Sequence, residues 1–339
     1  MSEALWDSPL PIVAAPMAGG PSTPALAVAV ASAGGFPFLA GGYVRAEALA
    51  AAIERVRDLG RFGVNVFVPT TAPADERALR AYSVRIQPEA DRYGLRLNPR
   101  PVVDDDHWSE KLELLIAHPV PVVSLTFGLP DPGDIAALQH VGTHVLASVT
   151  SPEEARAAHQ AGVDGLVVQG PDAGGHSATH DPTRVPEPIR TEDLVARVRA
   201  AVELPMVACG GVDGPDAVAR LLAAGAQSVA AGTLLLRTDE AGTSATHRDA
   251  LTDPALTETV MTRSFTGRPA RALRNGFIDR HEAHAPTSYP AVHHLTRDLR
   301  RTAGEAGDTD LVHLWAGTGY RSAHTGPAAD VIRWLAEAS

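Results

Sequence analysis

Eight short runs of apolar, often β-branched residues alternate along the chain with alanine-rich segments of helical pattern. Strands that are separated by helices pair in parallel, and the helices then cover the outside of the sheet. Eight such units favour a closed TIM (β/α)8 barrel, an α/β fold, over an open doubly wound sheet. The predicted strands are residues 11–17, 36–42, 62–68, 120–128, 143–150, 163–170, 205–211 and 227–236.

Two segments exceed what such a barrel needs. Residues 69–106 follow the third predicted strand, and residues 238–320 follow the eighth. The second segment is polar, rich in arginine and histidine, and partly helical in pattern, so we expect a smaller, mainly helical cap over one barrel mouth. The predicted division is therefore a cofactor-binding barrel at 1–237, an inserted cap or substrate domain at 238–320, and a final barrel helix within 321–339.

The charge pattern limits the partners of the protein. The formal net charge is −11, with carboxylates and arginines interspersed, whereas a nucleic-acid-binding face would be basic. An anionic ligand must therefore be held locally, by backbone amides or single arginines. No apolar run reaches membrane-spanning length, and the first residues lack a secretory signal pattern, so we expect a cytoplasmic protein without a membrane partner.

Cysteine and lysine each occur once in the chain. Cys209 is the single cysteine, which excludes an internal disulfide and a cysteine-based metal cluster, and its place on an apolar strand predicts a buried small hydrophobe. Lys111 is the single lysine, which we attribute to a GC-rich genome and not to function.

In a barrel of this kind, chemistry occurs at the carboxyl ends of the strands. The candidate residues at these ends are Pro16, Met17 and Ala18 after strand one, Asn65 in strand three, Thr126 in strand four, Gln169 in strand six, and the following Gly174, Gly175 and His176. Gly210 and Gly211 end strand seven, and Gly232 and Thr233 lie on strand eight. Glycines let backbone N–H groups approach an anion closely, so these two neighbouring ends predict a phosphate site, although tight turns alone would also use them.

His176 follows two glycines in what we interpret as a flexible turn at the active mouth. An imidazole with an ordinary pKa near 6.5 suits proton transfer at neutral pH, although a histidine after a turn is often only a surface residue. His176 and His180 are four residues apart, a spacing that on a helix predicts a metal pair. The preceding glycines and Pro182 argue against a helix, and no third ligand is evident, so we expect no metal site.

Five motifs at successive strand ends, PMAGG, FGVNVF, QGPDAGGH, ACGGV and AAGT, together resemble the nitronate monooxygenases, formerly called 2-nitropropane dioxygenases. The segments SYPAVHHLTRDLR and LWAGTGYR resemble the bacterial branch of that family, and the resemblance covers nearly the whole chain. It implies a TIM barrel with an added helical domain and non-covalently bound FMN.

The resemblance also implies roles for single residues. The FMN phosphate would lie on Gly210, Gly211, Gly232 and Thr233. The isoalloxazine and ribityl chain would contact Ala15, Pro16, Met17, Ala18, Asn65, Gln169, Gly174 and Gly175. Thr126 is a further candidate for cofactor binding. His176 matches the family's active-site histidine, which serves deprotonation or binding of substrate. The sequence departs from the family pattern at Asp172, where a glutamate is common, and at residues 177–180, which bears on substrate preference.

The expected activity is that of an FMN-dependent monooxygenase, which oxidises alkyl nitronates or nitroalkanes with O2 to carbonyl compounds and nitrite. One alternative is an FMN- and NAD(P)H-dependent enoyl-thioester reductase of the enoyl-ACP type, because a related family shares the barrel and a similar AGGH loop. A second is an FMN-binding protein without catalysis. Chemistry like that of IMP dehydrogenase is excluded because Cys209 lies on a strand. The sequence defines neither the physiological substrate nor the oligomeric state.

Overall fold

A computed structural model describes residues 8–69, 75–102 and 104–338. Within these residues, eight parallel strands close a barrel in which the last strand pairs with the first. The strands are β1 (Ile12–Ala14), β2 (Phe36–Ala40), β3 (Gly63–Phe67), β4 (Val122–Thr126), β5 (His144–Val149), β6 (Gly165–Gln169), β8 (Met206–Cys209) and β9 (Ser228–Ala231). The predicted TIM barrel is confirmed. The predicted carboxyl end of the eighth strand, at residue 236, is wrong. The strand β9 stops at Ala231, and a 3-10 helix, Thr233–Leu235, follows it.

A helix follows each barrel strand and covers it from outside. These helices are α1 (Pro24–Ser32), α2 (Ala46–Glu54), α4 (Trp108–Ala117), α5 (Pro132–His140), α6 (Pro152–Gln160), α7 (Thr191–Ala201), α8 (Pro215–Ala223) and α12 (Ala328–Leu335). Proline begins four of them because its fixed φ suits the first turn and its missing N–H is not needed there. The final helix α12 packs against α1 and α8, which closes the helical layer.

The core of the barrel has two layers because alternate strand residues point to opposite faces. Inside the barrel, Val13, Phe36, Phe38, Val122 and Leu146 form a small apolar cluster below the mouth. Outside it, the other face of each strand packs against the helices in a much larger cluster. No helix in the described ranges is long and apolar enough to span a bilayer.

The cap is a second, smaller unit above the carboxyl ends of the strands. It contains α9 (Ala245–Ala250), α10 (Gly276–His281), α11 (Ala291–Glu305) and a three-stranded antiparallel sheet. The sheet has the order β10 (Thr259–Thr262), β11 (Ala270–Leu273), β7 (Gly175–His176). The additional helix α3 (Glu76–Asp91) packs on α11.

Two elements of the cap come from the predicted barrel segment, residues 1–237. Leu79, Tyr82 and Ile86 of α3 belong to the apolar cluster of the cap, together with Phe265 and Phe277. The strand β7 pairs with β11, although it lies between β6 and α7 in the chain. The first insertion therefore supplies a cap helix, and the cap includes elements that lie outside residues 238–320.

Candidate active site

A cavity of about 340 Å³ lies at the carboxyl ends of the barrel strands, under the cap. This volume falls in the usual range of small-molecule sites, about 300–1,000 Å³. The structure places every predicted site residue on its wall, and their roles remain predictions. They are Ala15, Pro16, Met17, Ala18, Asn65, Thr126, Gln169, Gly174, Gly175, His176, Gly210, Gly211, Gly232 and Thr233.

One end of the cavity, which we call the glycine end, is formed where β8 and β9 stop. Gly210 and Gly211 follow β8 with φ of 111° and 74°, values that side-chain-bearing residues rarely adopt. Gly232 precedes the 3-10 helix after β9, and the first N–H groups of such a helix are not used within it. The hydroxyl of Thr233 accepts a hydrogen bond from the N–H of Gly317 at 2.9 Å. Backbone donors from two strand ends are therefore available to an anion.

The floor of the cavity is a chain of polar groups at the ends of β3, β4 and β5. The amide nitrogen of Asn65 donates to the Ser124 carbonyl at 3.1 Å, the Ser124 hydroxyl at 2.9 Å and the Thr126 hydroxyl at 2.9 Å. Thr126 in turn lies 3.2 Å from the hydroxyl of Ser148. Because the nitrogen of Asn65 is fixed in this way, its amide oxygen is the atom left to accept a bond from a ligand.

Gln169 holds the segment that carries the candidate histidine. Its Nε2 donates to the carbonyl of His176 at 3.1 Å, and its Oε1 accepts from the N–H of Ala178 at 2.7 Å. Gly175 and His176 also pair with Arg271 and Ala270 of β11. The interpretation of residues 174–176 as a flexible turn is therefore wrong, because the last two form the strand β7.

The imidazole of His176 is packed among aromatic rings. The centroids of Phe127, Tyr289 and Trp315 lie 5.7, 5.7 and 5.3 Å from it. Burial, and then the positive charges of Arg268 and Arg300, lower the pKa of His176 from 6.5 to about 3. An ordinary pKa near 6.5 was therefore the wrong expectation, and His176 is neutral at pH 7.

A threonine defines which nitrogen of His176 carries the proton. The Nε2 of His176 lies 2.9 Å from the hydroxyl of Thr266. When that hydroxyl donates its one proton to the carbonyl of Arg268, 3.3 Å away, it accepts from Nε2–H. The hydrogen-bond network therefore assigns the lone pair to Nδ1, which is the ring nitrogen available to a ligand.

A positively charged layer lies behind the aromatic rings. The Arg268 side chain is fully buried, and its guanidinium carbon lies 4.0 Å from the centroid of Phe127. Arg300 is also buried and donates to Thr296 at 3.0 Å and to the carbonyl of His293 at 3.1 Å. Neither arginine has a carboxylate within 4.0 Å in the described part of the chain. Burial lowers the pKa of each arginine to about 10, so both remain charged at pH 7.

Cys209 is the last residue of β8 and is half-buried on the cavity wall. It packs against the interior apolar cluster of the barrel, as predicted for a small hydrophobe, and it also lines the cavity because it ends the strand. Burial raises the pKa of the Cys209 thiol to about 12, so it is a neutral thiol and not a nucleophilic thiolate.

Several lining residues were missed by sequence reasoning. Tyr43, Phe127 and Ser148 follow or end strands, and their positions at strand ends could have identified them. Trp315 and Gly317 lie in LWAGTGYR, which contributed only to the resemblance. Thr243 and His313 had no signal, because they come from the insertion and reach the cavity only through tertiary packing. The same holds for His247, whose Nε2 bonds the carbonyl of Trp315 at 3.0 Å.

Comparison with known proteins identifies the family. The family model for nitronate monooxygenase matches residues 2–338. Proteins of Staphylococcus aureus strains JH9 and Newman, each named "probable nitronate monooxygenase", are 32% identical over 328 residues, which are 95% of this chain and 92% of each relative.

Solved structures agree with this match. A crystal structure of nitroalkane oxidase from Streptomyces ansochromogenes is 45% identical, with a TM-score of 0.92 over 97% of this chain and 95% of its own. FabK from Thermotoga maritima is 24% identical, with a TM-score of 0.74 over 98% of this chain and 93% of its own, a likeness of fold alone. The chain therefore belongs to the nitronate monooxygenase family and is an oxidoreductase.

Proposed function

We propose that the protein is an FMN-dependent monooxygenase that oxidises alkyl nitronates, and less readily nitroalkanes, with O2 to carbonyl compounds and nitrite. The observation that carries the proposal is one cavity with backbone anion donors at the glycine end and a neutral, oriented histidine against an aromatic wall at the other. The names of the relatives, nitronate monooxygenase and nitroalkane oxidase, agree with this substrate class.

The residues of the cavity fit FMN. Gly210, Gly211, Gly232 and Thr233 would hold the phosphate through backbone N–H groups at two strand ends. The amide oxygen of Asn65 would accept a hydrogen bond from the ring system. Two buried polar atoms on the wall, the hydroxyl of Thr243 and Nδ1 of His313, have no hydrogen-bond partner among the described residues, and a polar cofactor or substrate would supply one.

When bound, FMN supplies the electron transfer from the nitronate and the reaction of those electrons with O2. The chain supplies binding, orientation and the handling of a proton. The rings of Phe127, Tyr289 and Trp315 exclude water around His176. Nδ1 of His176 would accept the α-proton of a neutral nitroalkane or lie beside the bound nitronate.

The charges near His176 favour the pre-ionised substrate. Arg268 and Arg300 stabilise an anion in the cavity, whereas they oppose a positive charge on the imidazole. Oxidation of a neutral nitroalkane requires that His176 take a proton, and its low pKa makes that step costly. Oxidation of a nitronate avoids it.

The visible spectrum of the purified protein tests the proposal first. We expect a yellow protein that releases about one FMN per chain on denaturation, because the glycine end matches a mononucleotide phosphate. Anaerobic addition of propyl nitronate should bleach the flavin, and aerobic turnover should consume O2 and release nitrite. A colourless protein that takes up no added FMN would reject the flavin assignment. Bleaching by NADPH, without nitronate consumption, would instead support the enoyl-thioester reductase.

A further inference from the structure

The single lysine of the chain belongs to a buried ion pair that reaches the cavity wall. Lys111 is 1% exposed, and its Nζ lies 2.7 Å from Oδ2 of Asp106. The other carboxylate oxygen, Oδ1, accepts a hydrogen bond from the backbone N–H of Tyr43 at 2.8 Å. Tyr43 has a φ of 64°, in the left-handed region that bulky residues avoid. The ion pair therefore holds a residue with unfavourable backbone geometry in place.

The side chain of Tyr43 lies on the cavity wall. Its ring stacks on His293 with centroids 4.4 Å apart and contacts the edge of Phe67. Its oxygen accepts a hydrogen bond from the hydroxyl of Tyr289 at 3.2 Å. Its own proton has no acceptor in the described parts of the chain. Burial raises the pKa of Tyr43 to about 12, so the hydroxyl keeps that proton at neutral pH.

The surroundings of this hydroxyl favour a negative ligand. Tyr289 joins Tyr43 to the histidine, because its ring also contacts His176 at 5.7 Å between centroids. The positive charges of Arg268 and Arg300 lie behind the same wall, and both act on Tyr43. The carboxylate that acts on Tyr43 is Asp106, which is paired with Lys111, and the carboxylates that act on Arg268 are Glu154 and Asp181.

We propose that Tyr43 binds the substrate by donating its hydroxyl proton to an oxygen of the anionic nitronate group, and that Asp106 and Lys111 are positioning residues for it. The inference rests on the proposed function for the identity of the anion. It does not depend on that function for the existence of an oxyanion site, because the donor and the charges are present in the chain itself. The ligand class is a small planar oxyanion.

Binding of nitrate tests the oxyanion site without any turnover. Nitrate has the planar oxygens of a nitronate group, and its dissociation constant can be measured by calorimetry on the purified protein. Removal of a hydrogen bond to a charged ligand raises the dissociation constant about 10- to 100-fold, which we expect for Tyr43→Phe. The control Tyr93→Phe removes a hydroxyl that bonds Asp308 outside the cavity, and it should leave nitrate binding unchanged.

Two results of this experiment would overturn the proposal. One is nitrate binding by Tyr43→Phe within twofold of the unaltered protein, and the other is an unaltered protein that binds no nitrate. The test also separates the two proposals. If no nitronate is oxidised but Tyr43→Phe still weakens nitrate binding, the proposed function fails and the oxyanion site stands.

A pair of variants at Asp106 tests the positioning role. Asp106→Ala removes both the partner of Lys111 and the acceptor for Tyr43, whereas Asp106→Asn keeps an oxygen that can accept from the Tyr43 N–H. Both variants lose the ion pair, so both should lose thermal stability. We expect only Asp106→Ala to weaken nitrate binding, about 10-fold or more, and to raise KM for propyl nitronate. Equal losses of nitrate affinity in the two variants, or no loss in either, would reject the positioning role.

Discussion

His176 illustrates how one residue obtains its chemistry from distant parts of the chain. Its neighbours Phe127, Arg268 and Tyr289 come from three separate segments, and together they remove water and add positive charge around the ring. A histidine in this setting is a neutral hydrogen-bonding group and a reluctant base. Under the proposed function, the form of the substrate therefore decides whether His176 must accept a proton.

Replacement of His176 by asparagine should separate the two forms of substrate. A general base contributes about 10²–10⁴-fold, so kcat/KM for neutral nitroethane should fall in that range if His176 takes the α-proton. The nitronate needs no such step, so its oxidation should fall much less. FMN content should stay nearly unchanged, because the proposed phosphate site is at the glycine end, away from His176. Equal losses on both forms would show that His176 binds the anion instead, and full activity on both would show that it takes no part.

At the same scale, local sequence patterns were enough to predict that the glycines and His176 lie at the mouth of the barrel, but not what surrounds them. Gly210, Gly211 and Gly232 stand directly at strand ends, so their position on the cavity wall follows from the barrel, and their role stays a prediction. The pKa of His176 and the exposure of Cys209 to the cavity depend on packing between segments far apart in the chain. Lys111 shows the same limit, because composition alone gave it no function, whereas its buried ion pair with Asp106 is the basis of the positioning role proposed above.

Among the elements, the barrel strands were predictable because a strand covered on both faces reads as a continuous apolar run. The strand β7 has two residues, too few for any periodicity, and it pairs with β11, which lies in the distant segment after β9. The helix α3 has a clear helical pattern, but the sequence does not state that its apolar face packs in the cap. The sequence therefore predicted the elements that local pattern defines. It did not predict those whose pairing or packing depends on a distant segment.

Gly232, between β9 and the 3-10 helix that follows it, allows a test of the phosphate site proposed there. A Cβ added to Gly232 lies 3.4 Å from Cβ of Ala15 and 3.5 Å from Sδ of Met17, so a branched side chain would extend into the glycine end. We expect Gly232→Val to fold but to retain little FMN, measured as flavin per chain after desalting. Gly133→Val is the matched control, because Gly133 is remote and a Cβ there meets no atom within 4 Å. Full FMN retention in folded Gly232→Val would assign that glycine a structural role alone.

For the whole molecule, buried histidines predict how stability depends on pH. Burial lowers the pKa of His176 to about 3 and that of His247 to about 4, and it holds the pKa of His293 and His313 well below 6.5. The unfolded chain, with histidine pKa values near 6.5, therefore binds more protons, so stability is complete above pH 6.5 and falls as the pH drops below it. The loss is about 1.4 kcal/mol per histidine at pH 5.5.

Urea unfolding at pH 7.5 and pH 5.5 measures this effect, and the midpoint should be clearly lower at pH 5.5. His247→Gln keeps a donor for the Trp315 carbonyl and should reduce the difference between the two pH values by about one histidine's share. His144→Gln, at an exposed position, should leave the difference unchanged. A midpoint that is equal or higher at pH 5.5 would contradict the burial of neutral histidines.

The interleaving of cap and barrel restricts how the protein can move. The chain leaves the barrel for the cap and returns three times, through α3 after β3, through β7 after β6, and through the long segment between β9 and α12. A lid joined by one or two strands of chain can swing as a rigid body, but six crossings prevent such a hinge. We therefore expect that the cap does not rotate as one rigid lid over the cavity. Substitutions can alter the cap, but the cap cannot be exchanged as one contiguous segment, because its elements come from three separate parts of the chain.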